Sequence, residues 1–93
     1  MHKGYTTNYF IDLFKNTPDE FFAQHSIDKI ISPKKGKQSQ AFNALDEMFN
    51  GELIEIERGL RYYHKLGSTP KERLIDALKQ IQRYGFVFVF VLA

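Results

Sequence analysis

At 93 residues, 43% of them hydrophobic and 26% charged, the chain is long enough for one small domain spanning 1–93 and too short for two. It has no cysteine, which excludes disulfides and thiolate metal sites and suits a reducing, cytoplasmic setting. Thirteen basic against eleven acidic residues leave a net charge of +2, too mild to argue for nucleic acid and the wrong sign for a DNA mimic.

The first helix is predicted over Asn8–Lys15. Thr6 or Thr7 can cap it, and Phe10, Leu13 and Phe14 share a face at i, i+3, i+4. A second, short helix is expected to start at Thr17-Pro18-Asp19-Glu20. There the Thr17 hydroxyl can accept the Glu20 amide, the Glu20 carboxylate can reach back, and Pro18 fills the first helical position. Residues Ile27–Pro33 read as irregular, and Lys34-Lys35-Gly36-Lys37 as an exposed basic loop. Ser39 can cap a third helix over Gln40–Asn50. Its stripe is Ala41, Phe42, Leu45, Met48 and Phe49, and Gly51 supplies a left-handed stop.

Residues Glu52–Leu66 admit two readings. As a helix, Leu53, Ile56, Leu60 and Tyr63 share a face and the acids precede the bases, as the macrodipole prefers, but Gly59 costs about 1 kcal/mol relative to Ala. As a short strand over Leu53–Glu57, Gly59 is the stop. The strand reading is preferred. The last helix opens at Thr69-Pro70-Lys71-Glu72, carries Leu74, Ile75, Leu78 and Ile81, and ends at Gly85.

The tail Phe86-Val87-Phe88-Val89-Phe90-Val91 alternates aromatic and β-branched residues and reads as a strand with two apolar faces. Such a strand needs cover on both sides, from Leu53–Ile56 or from a second copy across a dimer axis. Phe86, Phe88 and Phe90 are therefore self-association candidates, with a homodimer slightly favoured. The eight-residue apolar run ending at Ala93 is far short of the roughly 20 that span a membrane. No apolar segment follows Met1–Tyr5, so no signal peptide is expected. The fold class expected is α+β: about four short helices with a minimal antiparallel sheet that includes the C-terminal strand 86–92.

No recognisable catalytic or cofactor site is encoded. His25 and Asp28, at i, i+3, could share a helix face but lack the further ligands a metal needs, so no metal is expected. Glu52, Glu55 and Glu57 read as a solvated face, without a nucleophile or an apolar pocket to tune them, and Gly36 and Gly67 stand apart from any phosphate loop. For nucleic acid, Lys34, Lys35 and Lys37 offer phosphate contacts. Arg58, Arg61, Tyr62, Tyr63, His64 and Lys65 form a basic-aromatic stretch suited to stacking. The interleaved acids Glu52, Glu55 and Glu57 weaken that case.

Three stretches resemble a pattern found in small uncharacterised proteins of phages and prophage-bearing bacteria. They are Tyr9–Phe14 followed by Thr17-Pro18-Asp19-Glu20, then Leu53–Gly59, then Thr69–Leu78, together about a third of the chain. Those relatives often carry a Cys-Ala-Leu-Gly-His segment in mid-chain, which is absent here. The resemblance implies a mobile-element origin and no known activity. The expectation is a non-enzymatic binding protein of a host cytoplasm, without cofactor, acting on a protein partner such as a host defence complex. The alternative is a small nucleic-acid-binding protein.

Overall fold

The computed structural model describes residues 4–31, 39–62 and 69–85, without the side chains of 59–62. Among these residues there are six helices and no strand: α1 (Thr7–Lys15), α2 (Asp19–Gln24), α3 (Ile27–Ile31), α4 (Gln40–Met48), α5 (Leu53–Tyr62) and α6 (Pro70–Tyr84). Among the described residues, the expected α+β architecture is therefore corrected to an all-helical one. Residues Leu53–Glu57, taken as a strand, are the first half of α5. The tail 86–92, expected to pair with them, lies outside the described residues.

Why 53–57 is helical follows from the corner before it. Helix α4 ends with Phe49 as its cap, then Asn50 (φ 55°) and Gly51 (φ 79°) in left-handed conformations. The Gly51 amide donates to the Asp46 carbonyl at 2.8 Å and the Asn50 amide to the Glu47 carbonyl at 3.0 Å, a Schellman closure. The expected stop at Gly51 is real, but Asn50 holds the first left-handed position. The chain now doubles back past Asp46, whose carboxylate accepts the Leu53 amide at 3.2 Å. One of the four orphan donors of a new helix is thus satisfied from the preceding helix, and Leu53 is driven into the core. These gains outweigh the roughly 1 kcal/mol that Gly59 costs within a helix.

Helix α1 starts as expected, with the Thr6 hydroxyl accepting the Tyr9 amide at 3.2 Å. Helix α4 starts with Ser39 accepting the Phe42 amide at 2.9 Å. Helix α6 has a full capping box. The Thr69 hydroxyl accepts the Glu72 amide, the Glu72 carboxylate accepts the Thr69 amide, both at 3.1 Å, and Gly85 ends the helix at φ 92°.

Two local expectations fail. No side chain caps α2. Pro18 holds its N-cap, one residue later than expected, while the Thr17 hydroxyl donates backward to the Leu13 carbonyl at 2.8 Å. Residues 27–31, read as irregular, form α3. Here the Ser26 carbonyl accepts the Lys29 and Ile30 amides, the Ser26 hydroxyl donates to the Asp28 carboxylate, and Ile27 is buried. Ile27, Ile30 and Ile31 stand at i, i+3, i+4 and pack on the core, but a five-residue helix shows this stripe only once, too little to set a period.

Helix α1 packs chiefly on α6, which also receives α2 and α5; α4 bridges α3 and α5. The core is Phe10, Ile11, Phe14, Phe22, Ile27, Phe42, Leu45, Phe49, Leu53, Leu74, Ile75 and Leu78, with Ala41, Ala44 and Ala77 allowing close approach. Rings run through it in sequence. Phe10 stacks on Phe14 with centroids 6.1 Å apart, and Phe14 meets Phe22 edge-on at 5.4 Å. Aromatic pairs in these geometries add to what burial alone contributes.

Candidate functional site

Most residues singled out from the sequence lie outside the described residues: Lys34, Lys35, Lys37, Tyr63, His64 and Lys65, and the tail residues Phe86, Phe88 and Phe90. Arg61 and Tyr62 belong to α5, but their side chains are not among those described. Arg58 is exposed on α5. Glu55 and Glu57, which a strand would set on one face and which the sequence presents as solvated, are separated by the helix. Glu55 is exposed, and Glu57, four residues after Leu53, turns into the buried face.

His25 and Asp28 do not share a face. His25 ends α2 in an extended conformation with its ring against Phe21, centroids 4.1 Å apart, and Asp28 receives the Ser26 hydroxyl in α3. Among the described residues no three His, Asp or Glu side chains converge as metal ligands. Nor, among them, is any helix long and apolar enough to cross a membrane.

What the fold does assemble lies on α1 and α6. These helices run antiparallel and are tied at both ends. At one end the Lys71 ammonium donates to the carbonyls of Thr17 at 2.7 Å and Lys15 at 3.1 Å, and lies 3.5 Å from the Asp19 carboxylate. At the other the Gln82 amide donates to the Asn8 side-chain oxygen at 2.8 Å. Between them is an open groove of about 740 Å³. Asn8, Ile11, Asp12 and Lys15 form one wall, and Asp76, Lys79, Gln80, Gln82 and Arg83 the other. The groove is polar, with acids and bases on both walls.

Beside its Asn8 end sits a group of tyrosines. The Tyr9 ring is 42% exposed, yet its orientation is fixed. It meets Tyr5 edge-on at 5.2 Å and Phe10 edge-on at 5.1 Å, while Tyr5 lies nearly parallel to Phe10. Phe21 on α2, at 40% exposure, is the other large ring left outward on the first two helices. Sequence reasoning missed both the groove and the tyrosine group. The polar spacing Asn8, Asp12, Lys15 was readable as the complement of the α1 stripe. That it faces Asp76, Lys79 and Arg83 depends on the antiparallel pairing of helices some 60 residues apart, which no local pattern encodes.

Comparison with protein-family models, with curated proteins and with solved structures gave no match. The site therefore has to be read from its own chemistry.

Proposed function

We propose that this chain is a non-enzymatic binding protein that works by contact with another protein. The observation that carries the reading is the tyrosine group on α1. A domain that buries Phe10, Phe14, Phe22 and Phe49 completely leaves Tyr9 outward and braces it with two neighbouring rings. A large ring already held in place loses little freedom on binding, and tyrosine is over-represented among residues that dominate interface energies. Phe21 on α2 adds apolar area of the same kind.

The resemblance to phage proteins extends the proposal to its partner. A mobile-element protein without chemistry of its own acts by occupying a surface of the host, and a host defence complex is the natural target. This extension rests on analogy of origin. The alternative, a nucleic-acid-binding protein, would use Lys34, Lys35, Lys37, Arg58 and Arg61.

The test is affinity capture from the host with the intact chain and with Tyr9→Ala, alongside binding of random single- and double-stranded DNA at two salt concentrations. The expected result is one host protein held in stoichiometric amount by the intact chain and lost at least tenfold with Tyr9→Ala, whose melting point stays within about 5 °C of the parent. Retention of that protein by Tyr9→Ala would remove the tyrosine surface from the interface. DNA binding that falls steeply with salt would replace the proposal with the nucleic-acid reading.

A further inference from the structure

We draw no further inference here: the strongest candidate, the open groove between α1 and α6 with Asp12, Lys15, Asp76, Lys79 and Arg83 on its walls, sets acids and bases side by side without selecting a ligand class, and nothing in the structure shows what covers it.

Discussion

Residues 17–20 and 69–72 have the same pattern, Thr-Pro-X-Glu, and the molecule uses them differently. At 69–72 the pattern closes a capping box, and a 15-residue helix follows. At 17–20 the threonine turns back to the helix just ended, proline takes the cap, and six residues of helix follow. The difference lies in what precedes each motif. Thr17 stands two residues beyond α1, within reach of a carbonyl that α1 leaves without a partner, and its hydroxyl serves that end instead of the next beginning. A capping motif states what a segment can do; neighbouring orphan groups decide whether it does so. The two sites are also linked, because Lys71, inside the second motif, donates to the carbonyl of Thr17 in the first. The start of α6 thus secures the turn between α1 and α2.

If α2 is held by packing rather than by its cap, removing its anchor is the most damaging change. Phe22→Ala deletes a ring that is 1% exposed and meets Phe14 edge-on, and should destabilise the domain by about 3–4 kcal/mol in urea unfolding. A loss below about 1 kcal/mol would mean that α2 is a detachable appendage.

The link between the motifs comes next. Lys71→Met keeps most of the stem but removes the ammonium that serves two carbonyls. It should lose about 2 kcal/mol, given that the side chain is only 16% exposed. Stability equal to the parent would show that water replaces the ammonium and that the motifs are independent.

The caps themselves give a smaller contrast. Thr69→Ala should lose about 1 kcal/mol, with far-UV circular dichroism showing a frayed α6. The last pair isolates the carboxylates. Glu72→Ala removes the return bond to the Thr69 amide and should lose about 0.5 kcal/mol, whereas Glu20→Ala, exposed and outside any box, should fall within about 0.3 kcal/mol of the parent. Equal losses at the two positions would contradict the contrast described between them.

These cases also show where local pattern is sufficient. The starts of α1, α4 and α6 were legible, because each is set by one hydroxyl and an amide three residues on, and so were their apolar stripes. Helix α5 was legible only as one of two readings. The run Leu53-Ile54-Glu55-Ile56-Glu57 is too short to separate the two periods, and the deciding bond comes from Asp46, seven residues back. Helix α3 offered a single turn of stripe, Ile27, Ile30 and Ile31, too short to stand out as a period. At the candidate surface, the stripe Phe10, Leu13 and Phe14 already left Tyr9 off the buried face, but no local pattern shows that the Tyr5 and Phe10 rings brace it.

That pairing of α1 with α6 has a consequence for biosynthesis. The two helices are separated by more than 50 residues, so α1 is synthesised well before its main partner. At translation rates of about 5–20 residues per second, roughly 3–11 s pass before α6 begins to be made. Through that interval Phe10, Ile11 and Phe14 lack the helix that covers them. Closure of the domain therefore waits on one long-range docking step, which loop-closure entropy makes slower than the forming of any single helix.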